Sequence, residues 1–199
     1  MEYARHLSTD PVMQQLIQAQ GPVSLKQEKD IYLYLCYSIM SQQLSTRVAD
    51  VLRERFLALY GKRKPSAQAI ADTPFEQLRA IGLSNAKVHY VQNVARFELT
   101  EGMQAKKLQT MSNDEIKTYL TSIKGVGNWT VEMLLMFALG REDVFAPDDL
   151  GIQQAMRKLY RIRLTDKRKF KMRMETISKK WAPYRTYACI HLWRHKDGA

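Results

Sequence analysis

The chain has 199 residues, 45% of them hydrophobic, enough to bury one sizeable core or two small lobes. Its 31 Lys and Arg against 20 Asp and Glu leave a formal charge of +11, which favours a polyanionic partner, most simply a nucleic-acid backbone. No apolar run approaches the roughly 20 residues of a spanning helix, and the start MEYARHLSTD is no signal peptide, so a soluble cytoplasmic protein without membrane contact is expected.

In chain order, Asp10 and Pro11 start a helix to Gln20 with Val12, Leu16 and Ile17 at helical spacing, and Gly21-Pro22 ends it. Asp30 to Met40 is apolar almost throughout, which suits a core helix, and Ser41, Gln42 and Gln43 then interrupt it. Ser45 is placed to cap a helix reaching Tyr60, with Val48, Leu52, Phe56 and Leu59 along one face. Gly61 to Ser66 reads as a basic, solvated loop. Thr73, with Glu76 three residues on, marks a cap for a short helix to Ile81, and Ser84 opens another that ends near Gly102. Ser112 and Glu115 form a second capping pattern, ahead of Ile116, Leu120 and Ile123. Thr165 to Trp181 reads as a strongly basic helix, and Pro183 starts a last one containing Tyr187, Ile190 and Trp193. No segment shows sustained period-two alternation and no linker or repeat forces a boundary, so the expectation is an all-α fold in a single unit over residues 1–199.

Cys36 and Cys189 lie in apolar helical patterns and are expected to be buried as small hydrophobes rather than bridged. His6, His89, His191 and His195 form no spaced ligand set of the zinc kind, so no catalytic transition metal is expected.

The densest stretch is Ile123 to Ile152, IKGVGNWTVEMLLMFALGREDVFAPDDLGI. In KGVGNW, Gly125 and Gly127 flank Val126 between two helices; glycine permits positive φ and leaves backbone amides unobstructed, a turn able to approach a phosphate. The Val is placed to anchor the turn, although a bare GxG also serves as an ordinary helix cap. The helix from Asn128 to Leu139 is apolar nearly all round, with Glu132 its only charge, and reads mostly as core. Trp129, in its first turn beside the hairpin, is the candidate exception. Asp148 and Asp149 precede a further helix face of Leu150, Ile152, Met156 and Leu159; geometry alone does not say which of the two caps and which does chemistry.

These residues resemble the helix-hairpin-helix (HhH-GPD) DNA glycosylase superfamily, and within it most of all the bacterial 3-methyladenine DNA glycosylase II (AlkA-like) branch. The resemblance rests on GVGNWT followed by VFAPDD at this spacing. It extends to SIMSQQLSTRVA at Ser38 to Ala49, IGLSNAKVHYVQNVA at Ile81 to Ala95 and WAPYRTYACIHLW at Trp181 to Trp193. It implies a compact helical fold with two intertwined lobes flanking a cleft, without the N-terminal β domain of some longer members. It implies Asp149 as the catalytic carboxylate, leaving Asp148 to cap the helix. Gly125, Val126 and Gly127 would bind a DNA phosphate, Gln42 and Gln43 would lie in the loop that enters the vacated base stack, and Trp129 and Trp193 would wall the base pocket.

Met133 and Leu150 stand where aromatic pocket residues occur in the best-known members, and Lys124 replaces a frequent Pro. The nucleophilic lysine of bifunctional relatives falls at Trp129, so the resemblance implies base release without strand cleavage. Two cysteines cannot supply the iron–sulfur motif of the endonuclease III branch; the implied ion is a monovalent cation, sodium or potassium, on the carbonyls of Thr121, Ile123 and Val126. The implied partner is double-stranded DNA carrying alkylated purines, bound by a nucleoid-associated monomer. The alternatives are a non-catalytic helix-hairpin-helix DNA-binding module, or a glycosylase of the same superfamily for uracil, hypoxanthine or a mismatched base.

Overall fold

The computed structural model describes residues 1–198; Ala199 and the side chain of Thr46 lie outside the described set. The described residues form helices and no strand, as the patterning predicts. None of these helices is long and apolar enough to cross a membrane. The helices are α1 (Glu2–Leu7), α2 (Pro11–Gln20), α3 (Ile31–Ser41), α4 (Thr46–Ala58), α5 (Ala67–Asp72), α6 (Phe75–Ala80) and α7 (Asn85–Thr100). They continue with α8 (Ala105–Gln109), α9 (Asn113–Thr121), α10 (Asn128–Phe137), α11 (Leu150–Leu159), α12 (Lys167–Ser178), a single 3-10 turn at Lys179–Trp181, and α13 (Arg185–Lys196). The chain forms two compact units, one from Met1–Lys26 with Leu135–Ala199 and one from Gln27–Leu134.

The Gln27–Leu134 unit is built on α7, which packs against α3, α5 and α6. Helix α3 has no polar stripe because it is surrounded: Ile31, Leu33, Leu35, Cys36, Ile39 and Met40 are all buried. Val88, Val91, Val94 and Ala95 give α7 its apolar face, and buried Gln92 donates to the Thr73 carbonyl at 3.0 Å. Only half of the expected apolar face of α4 is covered: Leu52 and Phe56 are buried, whereas Val48 and Leu59 are exposed. The Thr73 cap also fails. Helix α6 begins behind Pro74 without a side-chain cap, because the Thr73 hydroxyl is turned back to the Ala69 carbonyl (2.6 Å) and to the Tyr60 hydroxyl (2.7 Å). The Ser112 and Glu115 capping box is formed reciprocally, at 3.2 and 2.7 Å.

In the other unit the two ends of the chain fold together. Asp10 caps α2 through Oδ1, accepting the Val12 amide at 2.9 Å. Its Oδ2 accepts the Tyr160 hydroxyl at 2.9 Å and the Trp181 indole N–H at 3.1 Å. Burial, followed by the nearby Asp10 charge, raises the Tyr160 pKa. Tyr3 stacks on Tyr187 with ring centroids 4.1 Å apart, and α13 packs on α2 and α11. The basic helix expected over Thr165 to Trp181 starts later, at Lys167 behind an Asp166 cap, and its last turn tightens to 3-10. Both cysteines are buried and unbridged. Three short helices, α1, α5 and α8, escape the sequence reading because five or six residues carry too little periodicity.

Replacing Ser112 by Ala is expected to lower the unfolding free energy by about 1 kcal/mol in urea titration, since a formed cap is removed. Ser45→Ala should cost well under half of that, because Ser45 makes no side-chain cap bond.

Candidate active site

The hairpin belongs to the Gln27–Leu134 unit. Helix α9 ends at Thr121, the Ile123 carbonyl accepts the Val126 amide at 3.0 Å, and the Gly127 carbonyl accepts the Val131 amide at 3.1 Å to start α10. Val126 is buried and pins the turn. The two glycines do different work. Gly125 has φ +106°, and a Cβ there would lie 2.2 Å from the Tyr90 ring, so both conformation and contact demand glycine. A Cβ placed on Gly127 would meet nothing within 4 Å, which leaves that side of its backbone open at the positive end of α10. Asn93 steadies the approach to the turn by donating to the Lys124 carbonyl at 3.2 Å. Sequence reasoning missed Tyr90, whose partner lies 35 positions away along the chain.

The Gln42 and Gln43 loop lies in the same unit. Gln43 is exposed with φ +60°, an uncommon left-handed conformation for a side chain of that size. Lys87 holds the loop from α7, donating to the carbonyls of Met40 and Gln42 at 2.8 Å each, and Gln42 Nε2 reaches the Thr130 hydroxyl at 3.3 Å. Partial burial lowers the Lys87 pKa. On α10, Trp129 is 37% exposed, and Met133 is buried with its carbonyl accepting the Tyr34 hydroxyl at 3.2 Å.

The carboxylate belongs to the other unit. Asp149, only 9% exposed, is the N-cap of α11: its Oδ1 accepts the Ile152 amide at 2.9 Å and the Trp193 indole N–H at 2.8 Å. The expected division of labour is therefore corrected. Asp149, the residue the family pattern marks for chemistry, is also the cap, while Asp148 is drawn outward into a pair with Lys171 at 2.7 Å. An N-cap must hold non-helical, extended backbone one residue before the first helical turn, and Asp149 has it, at φ −73° and ψ 124°.

Gly151, which sequence reasoning passed over, makes the Trp193 contact sterically possible. A Cβ there would sit 2.9 Å from Trp193 Cδ1 and 3.2 Å from Asp149 Oδ1. Phe137, 38% exposed and with its ring centroid 5.5 Å from that of Trp193, is a further aromatic of this cluster that reads as core in sequence. Two signals pointed to these residues: a glycine in a first helical turn, and the i, i+4, i+8 spacing of Trp129, Met133 and Phe137. Leu150 is 70% exposed on the opening turn of α11.

The loop that delivers Asp149 is clamped by α13. The Thr186 hydroxyl donates to the Arg141 carbonyl at 2.6 Å and accepts the Val144 amide at 3.1 Å; Arg185 grips Asp143 through two bonds of 2.5 and 2.8 Å. The Tyr187 hydroxyl donates to Glu142 at 2.7 Å, and burial followed by that carboxylate raises its pKa. Among the described residues no cluster of three or more His, Cys, Asp or Glu is placed to hold a metal ion.

Residues 36–183 match the HhH-GPD superfamily of base excision DNA repair proteins. The chain belongs to this superfamily. It is 35% identical over 195 residues to DNA-3-methyladenine glycosylase 1 of Schizosaccharomyces pombe, covering 95% of this chain and 84% of that protein. It is 32% identical over 170 residues to the putative DNA-3-methyladenine glycosylase YfjP of Bacillus subtilis, covering 82% of this chain but only 58% of the relative. The structure of the Schizosaccharomyces pombe 3-methyladenine DNA glycosylase in complex with abasic DNA superposes with a TM-score of 0.89 at 33% identity, covering 100% of this chain and 98% of that one.

The two hairpin glycines separate experimentally. Gly125→Ala is expected to destabilise the protein by about 3 kcal/mol, combining left-handed strain with overpacking against Tyr90. Gly127→Ala should cost less than about 1 kcal/mol in the same denaturation measurement.

Proposed function

We propose that this protein is a monofunctional DNA glycosylase that hydrolyses the N-glycosidic bond of alkylated purines of the 3-methyladenine and 7-methylguanine type. The observation that carries this reading is the Asp149 carboxylate, fixed by the first turn of α11 and by the Trp193 indole in a chain of the HhH-GPD superfamily.

A base inside a duplex is out of reach, so the damaged nucleotide is turned out of the stack, at a cost of about a few kcal/mol that is smallest for damaged or mispaired bases. The open backbone at Gly127 and the adjoining amides of Gly125 and Val126 receive a phosphate, and the Gln42 and Gln43 loop fills the gap left in the duplex. Each unit offers an aromatic face that favours a purine made cationic by alkylation: Trp129, with Met133 beside it on the same helix, in the Gln27–Leu134 unit, and Trp193 in the unit that also carries Leu150.

As the bond from C1′ to the base nitrogen breaks, its electron pair leaves with the base and positive charge builds on the deoxyribose. The Asp149 carboxylate stabilises that charge and orients a water whose oxygen bonds to C1′ as its proton is released. A cationic base departs neutral, so no second, protonated carboxyl is needed. Trp129 stands where a lyase would need its lysine, which leaves an uncut abasic strand as product. At the hairpin, the C-terminal end of α9 leaves the Thr121 carbonyl without an intrahelical donor, and the Ile123 carbonyl keeps a second lone pair beyond its bond to Val126. With the Val126 carbonyl, these suit a monovalent cation that would brace the turn.

The test is a base-release assay on duplexes carrying 3-methyladenine, 7-methylguanine, hypoxanthine or uracil, with and without alkali. Release of the alkylated purines, with strand breaks only after alkali, is expected. No release from any duplex would leave a binding module, and breaks without alkali would refute monofunctional chemistry. Asp149→Asn should reduce release by about a thousand-fold or more while DNA affinity survives. Asparagine also caps helices, so this variant should melt within a few degrees of the parent. Near-normal release would remove Asp149 from the mechanism.

Trp193→Phe keeps an aromatic face but loses the N–H, and is expected to slow release about ten-fold with little change in the ratio of alkylated to normal purine excision. Trp193→Ala should collapse that ratio as well. Gly151→Ala, which pushes the indole off Asp149, should resemble Trp193→Phe in both readouts.

A further inference from the structure

The charge of this chain is concentrated. Between Arg157 and Lys180 stand eleven Lys and Arg against two acids, Asp166 and Glu175, a net +9 of the formal +11. The segment comprises the end of α11, the following turn, α12 and the 3-10 turn, and every one of its basic residues except Lys171 is exposed. Internal contacts neutralise little of it. Arg157 donates to the Leu164 carbonyl at 2.9 Å and lies 4.0 Å over the Phe170 ring, and Lys171 pairs with Asp148. Asp166 is committed as the cap of α12, accepting the Lys169 amide at 2.7 Å.

Folding does not ask for this arrangement. Lys167 and Lys171, and Lys169 and Arg173, repeat like charges at i and i+4, which weakens a helix. A strip that opposes its own helix is explained by an external polyanion. Helix α12 has 12 residues and so runs about 18 Å, a length over which duplex DNA presents about ten phosphate charges. The strip is also tied to the candidate site within its own unit: Lys171 on α12 holds Asp148, the residue directly before Asp149.

We propose that the strip from Arg157 to Lys180 is a second anchoring surface for the backbone of duplex DNA outside the damaged nucleotide, and that it supplies much of the salt-dependent, sequence-independent association. This rests on the reading of the chain as a DNA glycosylase, and identifies the surface with which it holds undamaged duplex.

The experiment is a salt titration of binding to a lesion-free duplex, followed by fluorescence anisotropy. The strip variant is Lys167→Gln with Arg168→Gln and Arg173→Gln. The control of equal charge loss is Lys62→Gln with Arg63→Gln and Lys106→Gln, and a charge-retaining triple carries Lys167→Arg, Arg168→Lys and Arg173→Lys. In the strip variant the slope of log affinity against log salt is expected to fall by about 2 to 3, roughly 0.9 for each phosphate no longer neutralised, with at least about ten-fold weaker binding. The control should move the slope by less than about 1, and the charge-retaining triple should keep the parent slope.

An unchanged slope in the strip variant, or equal changes in strip and control, would overturn the proposal. So would polyglutamate displacing the parent more effectively than the duplex at equal charge concentration. Because the duplex carries no lesion, the two readings fail separately. A parent that excises nothing, yet loses slope in the strip variant, keeps the strip and loses the glycosylase assignment. A parent that excises without that loss of slope loses the strip alone.

Discussion

One carboxylate oxygen carries two obligations. Oδ1 of Asp149 accepts the amide that opens α11 and the indole N–H of Trp193, so the same atom starts a helix and joins α11 to α13. Each bond to an ionised acceptor is stronger than a neutral one, and together they remove the rotational freedom of a short side chain. A group that must meet a transient positive charge benefits from this, because the ordering is complete before substrate arrives. The arrangement depends on a missing methyl group: any side chain at Gly151 would occupy the path of the indole.

Around that atom the unit is built from distant pieces of chain. The loop after α10 carries polar groups that would be costly to bury alone, and α13 satisfies them more than forty residues later through Thr186, Arg185 and Tyr187. Asp10 repeats the device at the other end. It caps α2 with one oxygen and with the other binds Tyr160 and Trp181, which brings the first helices onto the last. Capping carboxylates that also accept long-range donors thus hold this unit together at two places. The Gln27–Leu134 unit relies more on apolar packing about α3 and α7, with polar tethers such as Lys87 on the Met40 and Gln42 carbonyls and Lys117 on buried Glu132.

Much of this was legible along the chain where the signal is local. The Ser112 capping box, the Asp10 start of α2, the buried α3 and the Val126 anchor each depend on residues within a turn or two of one another. Local patterns misled where a side chain had a better offer from elsewhere. Thr73 left its cap for Tyr60, Asp148 left α11 for Lys171, and Val48 and Leu59 share a helical stripe that the surrounding helices cover only in part. Phe137 looked like core because periodicity reports a face of a helix and not what lies opposite it.

By itself, then, the sequence determined the helical class, the two glycines of the hairpin, the short list of carboxylates and the excess of positive charge, since these follow from residue type and spacing. Tertiary structure decided the division of labour: that Asp149 caps and is gripped by Trp193, that Gly125 is demanded by Tyr90 while Gly127 stands open, and that Gly151 must lack a side chain. Each of those is a contact between residues that meet in space, and spacing along one helix cannot encode which atom of a distant helix will arrive within 3 Å.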